Sequence, residues 1–149
     1  MLEESREQKI GLLGLDQFEV CWPAILQSLE AIPHFWEFYT QEFFFEAVAR
    51  GSMQVWAIGG DHGVDVIITT EVVQYPKMKV FRLMGASGEG LDFYSERLQN
   101  VFDGFAKMQG CERIELIGRP GWIRKFRHLR GSSFDYVVMS TPVGSLRSH

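Results

Sequence analysis

The spacing of hydrophobic and polar residues in the first third of the chain is helical. Residues 20–32 predict a first helix, with Pro23 tolerated in its first turn and Pro33 ending it. Thr40 is a favourable N-cap for a second helix, and Gly51 is a favourable residue just beyond its end. Two helices joined by an aromatic connector are therefore expected before residue 52.

The spacing changes to the alternation typical of strands after residue 52. Three short runs, at residues 53–58, 64–73 and 78–84, predict an antiparallel meander. A glycine-rich segment follows, and the next residues carry the clearest helical pattern of the chain. The apolar face of that helix consists of Leu91, Tyr94, Leu98, Val101, Phe102, Phe105 and Met108.

The last third of the chain predicts a strand, a short helix and a strand. Gly110 ends the long helix, residues 113–117 and 134–140 read as strands, and residues 122–130 read as a helix. This order of elements favours an α/β fold, a sandwich with one mixed, mostly antiparallel central sheet flanked by helices.

The composition fits a single domain over residues 1–149, with a peripheral N-terminus at 1–15 and a loose tail at 141–149. Hydrophobic residues make up 46% of the chain, and a net charge of −4 argues against nucleic-acid binding. The charged N-terminus does not resemble a signal peptide, and no run approaches the roughly 20 apolar residues of a membrane span, so a cytoplasmic protein is expected. Cys21 and Cys111 stand alone and the histidines are scattered, so no metal site is expected.

One segment combines a strand, a glycine-containing turn and the long helix: Gly85-Ala86-Ser87-Gly88-Glu89-Gly90, followed by residues 91–108. Such a turn builds an anion site from free backbone N–H groups at the start of a helix. Over about residues 20–140 the order of elements resembles the GNAT superfamily of acyl-CoA N-acyltransferases. Members of that family hold the pyrophosphate of coenzyme A with a Gln/Arg-x-x-Gly-x-Gly/Ala turn. The resemblance implies a GNAT-like fold, acetyl-CoA as the cofactor and an amine as the acceptor.

Acyl transfer needs a base, an acid and an oxyanion donor. Glu71 near a strand end is the candidate base and Tyr94 the candidate acid; alternatively, Glu71 is an exposed charge and Tyr94 a core residue. A backbone N–H near Met84 would stabilise the oxyanion. The connector between the first two helices would border an acceptor pocket through Phe35, Trp36 and Tyr39, with most of its aromatic residues in the core. The cofactor-binding residues implied by the resemblance are Met84, Gly85, Ser87, Gly88, Glu89, Gly90 and Leu91.

A basic helix face is the remaining candidate site, formed by Arg119, Arg124, Arg127 and Arg130. This face would meet the ribose phosphate of coenzyme A, an acidic partner protein or nucleic acid, or it is simply a solvated surface.

Departures from the family pattern keep a second hypothesis open. Gly85 occupies the position of the motif's Gln or Arg, and Glu89 would bring a carboxylate next to the diphosphate of coenzyme A. Phe126 lies near the position at which the family usually has the Tyr that protonates the departing thiolate. The stretch from Gly110 to Trp122 is similar to small GNAT-like proteins of bacteriophages and prophages. The chain is therefore either an acetyl-CoA-dependent N-acyltransferase or a catalytically inactive GNAT-like phage accessory protein. The second hypothesis implies a phage or host protein partner, in the bacterial cytoplasm or associated with the virion.

Overall fold

The computed structural model describes residues 9–88, 91–117 and 140–144, and for residues 91–95 it describes the backbone alone. Within these residues the strands are β1 (Lys9–Leu12), β2 (Met53–Gly60), β3 (Gly63–Gln74), β4 (Lys79–Gly88) and β5 (Cys111–Leu116). They form one sheet in chain order. Each neighbouring pair is antiparallel except β4 and β5, which run parallel. The mixed, mostly antiparallel sheet and the meander predicted from the sequence are confirmed.

The helices described are α1 (Phe18–Glu30), α2 (Phe35–Phe38), α3 (Gln41–Arg50) and α4 (Leu91–Met108). The predicted cap of α3 is confirmed, because the side-chain oxygen of Thr40 accepts a 3.1 Å hydrogen bond from the Phe43 N–H. Gly51 follows α3 in the left-handed conformation, with φ of 86°. Glycine takes this conformation without a steric cost, so the helix ends there.

The sheet separates two hydrophobic clusters. One cluster lies between the sheet and α4 and is built around Trp56, Phe81 and Phe102, whose rings meet at centroid distances of 5.0–6.5 Å. The other lies between the sheet and helices α1 and α3, with Leu29 and Phe44 fully buried. Because β2, β3 and β4 contribute alternate residues to each cluster, both faces of the central sheet are covered.

The N-terminal part differs from the sequence prediction in three places. Helix α1 begins at Phe18 rather than residue 20, which puts Pro23 beyond the first turn. The aromatic connector contains the helical turn α2, which follows His34 in the left-handed conformation, with φ of 61°. The strand β1 was not predicted, because only Ile10 of its four residues is even half-buried and such a short pattern gives no alternation.

The long helix α4 has the predicted bounds but not the whole predicted apolar face. Leu98, Phe102 and Ala106 are buried against the sheet. Met108 is 74% exposed, so the prediction that it continues the buried face is wrong. The last turn of α4 extends past the edge of the cluster that the helix covers, and Gly110 then reverses the chain with φ of 80°.

Strand β4 is longer than predicted. The sequence favoured an end at residue 84 and a glycine-rich turn from Gly85, whereas the strand continues to Gly88 and stays paired with β3. Gly85 and Gly88 occupy this part of the strand because the neighbouring elements approach it too closely for larger side chains. Gly85–Gly88 of the predicted turn therefore belong to β4, and Glu89 and Gly90 lie outside the described residues.

Candidate functional site

Strands β4 and β5 pair over only half of β4. Their parallel register runs from Lys79 opposite Cys111 to Leu83 opposite Leu116. A last hydrogen bond of 3.0 Å runs from the Ile117 N–H to the Leu83 carbonyl. Beyond this point β4 continues as Met84–Gly88, with β3 as its only partner strand among residues 9–88 and 91–117. This part of β4 thus presents a strand edge on the side of β5.

A β-bulge lies where the two strands part. Thr70 is opposite Leu83 and Thr69 is opposite Gly85, so Met84 has no residue opposite it on β3. Bulges bend a strand and increase its twist, and they are common next to active sites. Because only alternate amides of a strand bond to one antiparallel neighbour, about half of those after the bulge face the β5 side. Among the described residues, the β4 edge thus combines a bulge with backbone amides that no other strand pairs.

Helix α1 lies directly behind this edge. A Cβ atom on Gly85 would lie 2.5 Å from the carbonyl oxygen of Ser28 and 2.6 Å from Cγ1 of Ile32. The Ser87 hydroxyl donates a 2.8 Å hydrogen bond to the Ala24 carbonyl. The buried hydroxyls of Ser28 and Thr69 are 3.0 Å apart. Gly85 is therefore explained by the close approach of α1, and the Ser87 hydroxyl is already bonded within the protein.

The end of β4 leads directly to the N-terminus of α4. Gly88 has φ of 107°, and a Cβ atom there would lie 2.0 Å from the Asp65 carbonyl oxygen, so no other residue fits. Three residues later Leu91 begins an 18-residue helix, whose first N–H groups have no partner within the helix. Glu89 and Gly90 lie outside the described residues, and so do the side chains of Leu91 and Tyr94.

Glu71 belongs to a charged cluster on the α1 side of the sheet. Arg82 on β4 contacts Oε1 of Glu71 on β3 through Nη1 at 3.4 Å. Its Nε and Nη2 contact Oε1 of Glu115 on β5 at 3.2 and 3.1 Å. Nη2 also donates to the Tyr75 hydroxyl at 2.6 Å. The side chains of Glu71 and Arg82 are 15% and 16% exposed, so Glu71 is a half-buried member of a network rather than an exposed strand-end charge.

Burial and charge act in opposite directions on this network. Burial raises the pKa of Glu71, and the Arg82 guanidinium lowers it by less. Burial alone would lower the pKa of Arg82, but its hydrogen bond to Glu115 and its interactions with Tyr75 and Glu71 raise it. Arg82 therefore stays charged, while Glu71 binds a proton more readily than an ordinary glutamate. A carboxylate with this property suits proton transfer from an amine.

Three residues of this cluster were missed in the sequence, namely Tyr75, Arg82 and Glu115. They lie 4–44 positions from Glu71 along the chain and come together only through the pairing of β3, β4 and β5. The signal that would have found them is the register, because Glu71 is opposite Arg82 and Arg82 is opposite Glu115. Sequence alone does not fix that register across a crossover.

The aromatic residues predicted to border an acceptor pocket have different environments. Phe35 is 2% exposed, and its ring lies 4.9 Å from those of both Trp36 and Tyr39. Trp36 is 36% exposed and Tyr39 is half-buried, stacked on Phe43 at 5.3 Å. Phe35 thus packs in the core, while Trp36 and Tyr39 reach the surface beside it.

The remaining predictions concern a basic face, metal sites and membrane spans. Arg119, Arg124, Arg127 and Arg130, the basic face, lie outside the described residues. Within the described part of the chain, no group of three or more His, Cys, Asp and Glu residues is arranged to hold a metal ion. None of the helices described is long and apolar enough to cross a membrane.

Comparison with known proteins gives a fold but no sequence family. No protein-family model and no curated protein match the chain. Solved acetyltransferases superpose on nearly its whole length. One, a predicted acetyltransferase from Clostridium acetobutylicum solved with acetyl-CoA, has a TM-score of 0.68 at 10% identity, covering 91% of this chain and 96% of that one.

Two further structures agree. An aminoglycoside acetyltransferase from an uncultured soil metagenomic sample gives a TM-score of 0.71 at 8% identity, covering 92% of this chain and 99% of that one. A GCN5-related N-acetyltransferase from Ralstonia eutropha gives 0.66 at 15% identity, with coverage of 92% and 99%. The chain has the GNAT fold, as the resemblance implied.

Proposed function

We propose that this chain is an acyltransferase that binds a coenzyme A thioester along the free edge of β4 and transfers the acyl group to an amine. The observation that carries the proposal is the parting of β4 from β5 after Leu83, with the bulge at Met84 at the point of separation. The similarity to acetyltransferase structures, one of them solved with acetyl-CoA, supports it at the level of the fold.

The residues present fit the cofactor in two ways. The amides of Met84–Gly88 that face away from β3 offer hydrogen bonds to an extended amide-containing arm, as a further strand would. The N-terminus of α4, three residues beyond Gly88, offers N–H donors and a positive dipole end to a diphosphate. Acetyl-CoA, when bound, supplies an acyl group activated as a thioester.

The chain's own residues would supply the base and the oxyanion donor. Glu71 is opposite Arg82, which lies two residues before Met84, so the Glu71 carboxylate lies roughly 7 Å along the sheet from the bulge. At this distance one water molecule would carry the proton from an acceptor amine to Glu71. A backbone N–H near Met84, pointing to the β5 side, would stabilise the oxyanion.

Titration with acetyl-CoA tests the proposal. Calorimetry and thermal shift are expected to detect binding by the wild-type chain. Glu89→Gln is expected to tighten it by about 3–10-fold, because a like charge next to the diphosphate is removed. Glu19→Gln is the matched control, since it removes the same charge from the first turn of α1. No heat and no thermal shift at millimolar acetyl-CoA would exclude this function.

A second function is favoured by two observations. The candidate base Glu71 is already paired with Arg82, and α1 fills the space in which the family's Gln/Arg side chain would stand at Gly85. A GNAT-like protein that has lost acyl transfer and serves as an accessory or interaction protein would tolerate both. Acetyl-CoA binding without acetylation of any amine in a substrate screen is expected in that case. Turnover of any primary amine would contradict it.

A further inference from the structure

Arg82 joins three separate parts of the chain on one face of the sheet. Its guanidinium contacts Glu71 on β3, Glu115 on β5 and the Tyr75 hydroxyl in the turn between β3 and β4. Each contact is part-buried or at the surface of the sheet, and the side chain of Arg82 itself is 16% exposed.

We propose that Arg82 is a positioning residue, which holds the Glu71 carboxylate in one orientation beside the β4 bulge so that Glu71 accepts the proton of the acceptor amine. This role rests on the proposed acyltransferase function. Arg82 would act through Glu71 and would itself touch neither the cofactor nor the amine.

Arg82 makes different contacts with the two carboxylates, and the difference indicates which of them fixes its orientation. Glu115 receives two bonds from Arg82, through Nε and Nη2, which fixes the guanidinium plane. Glu71 receives one longer contact through Nη1 to Oε1. The second oxygen of Glu71 has no contact with Arg82 in the described part of the chain, and in the proposed step it is the atom that accepts the proton. Glu115 therefore orients Arg82, and Arg82 orients Glu71.

Proton bookkeeping is consistent with this arrangement. One N–H bond of the acceptor ammonium breaks as an O–H bond forms on the bridging water, and another O–H bond of that water breaks as an O–H bond forms on Glu71, so that the water is regenerated and one proton is transferred. Arg82 keeps its proton because its pKa is raised by the surrounding groups. Arg82 from β4 is the charged group in contact with Glu71, and Arg82 in turn contacts Glu115 from β5 and the Tyr75 hydroxyl from the turn; Met53, opposite Glu71 on β2, does not titrate.

The geometry requires an arginine rather than a lysine. Three different donor nitrogens of Arg82 reach three different groups, and a single ammonium cannot reproduce such a fork. Arg82→Lys is therefore expected to keep the fold and the charge but to release Glu71. Arg82→Met removes both the charge and the fork. Arg50→Met is the matched control, because Arg50 is a surface arginine whose ion pair with Glu46 is 4.0 Å long.

Kinetics with acetyl-CoA and the probe amines tryptamine and lysine amide test the role. Arg82→Met is expected to lower kcat about 10–100-fold, within the range of a general base, while the Kd for acetyl-CoA changes less than threefold. Arg82→Lys is expected to be intermediate, and Arg50→Met to match the wild type. In a Glu71→Gln background, Arg82→Met is expected to cause no further loss. An equal loss in both backgrounds would show that Arg82 does not act through Glu71.

A measurement without turnover separates this role from the proposed function. Carbon NMR of the Glu71 carboxyl is expected to show its titration midpoint moving upward in Arg82→Met and staying in place in Arg50→Met. If Arg82→Met fails to fold, Arg82→Lys provides the same comparison of kcat. An unmoved Glu71 midpoint in a chain that binds acetyl-CoA would overturn the role of Arg82 alone. Absence of acetyl-CoA binding by the wild type would overturn the proposed function, and this role with it.

Discussion

Replacing Gly85 by alanine is the substitution whose cost the structure fixes most directly. The added methyl group would lie 2.5 Å from the Ser28 carbonyl oxygen and 2.6 Å from Cγ1 of Ile32, both on the side of α1. Ordinary contacts between carbon atoms are about 3.5–4.0 Å, so the shortfall is roughly 1 Å. Ile32 can move aside, but Ser28 contributes backbone, and its movement requires the helix to move.

The cost follows from what α1 covers. Ile25 and Leu29 are fully buried between α1 and the sheet, and a gap of about 0.5–1 Å would forfeit a quarter to half of each contact that spans it. The hydrogen bond between the Ser28 and Thr69 hydroxyls, now 3.0 Å, would also stretch. Overpacking of this kind typically costs about 1–3 kcal/mol, which lowers Tm by roughly 2–12 °C in a chain of this size.

Thermal and urea unfolding of Gly85→Ala provide the assay, with Gly104→Ala as the control. Gly104 lies within α4, and a Cβ atom there would meet nothing within 4 Å. That substitution is expected to stabilise the chain by about 0.5–1 kcal/mol through helix propensity. If Gly85→Ala proves as stable as Gly104→Ala, α1 does not pack on β4 as described. The close approach would then no longer explain the glycine.

Two further predictions concern the core and the charged cluster. Phe102→Ala is expected to lower the free energy of unfolding by about 3–5 kcal/mol in urea, because Phe102 is 3% exposed and packs between Trp56 and Phe81. Met108→Ala should change that free energy by less than about 0.5 kcal/mol, because Met108 is exposed. Equal effects of the two substitutions would contradict the exposed end of α4. The raised pKa of Glu71 means that the folded chain binds this proton more tightly than the unfolded chain. The unfolding free energy of the wild type relative to Glu71→Gln should therefore fall as pH rises from about 4.3 through the folded pKa, and a difference that increases with pH would contradict the shift.

The sequence predicts well those features that depend on neighbouring residues. Thr40 and Gly51 bound α3 because a side-chain oxygen and a left-handed glycine act within one turn of the helix. The bounds of α4 follow from a periodicity sustained over 18 residues. The meander follows from alternation and from the short turns between its strands. In each case the cause lies within a few residues of its effect.

The candidate site depends on distant residues and is predicted less well. The Arg82–Glu115 contact joins positions 33 apart, across the crossover through α4. The glycine-rich segment was expected to be a turn because glycine is the commonest turn residue. Its first four residues instead remain in β4, because α1 and β3 press on the strand and exclude side chains at Gly85 and Gly88. Local preference identified the glycine-rich segment, and tertiary packing decided its conformation.

The bulge at Met84 places Gly85 on the α1 side of the sheet and lies where β4 parts from β5. Its removal is therefore a test of the binding edge. The extra residue brings Gly85 opposite Thr69, on the side where α1 leaves no room for a side chain. Deleting Met84 would keep Gly85 opposite Thr69 and leave every later residue on its present face, but β4 would become regular and could continue its pairing with β5.

Met84→Ala is the matched control, because it removes the same side chain, now 8% exposed, while keeping the bulge. Both variants should lose about 2–5 kcal/mol from the core. Only the deletion should abolish acetyl-CoA binding in calorimetry, because only the deletion closes the edge. If the deletion variant binds acetyl-CoA as tightly as Met84→Ala, the parting of β4 and β5 does not create the cofactor site, and the acyltransferase proposal loses the observation on which it stands.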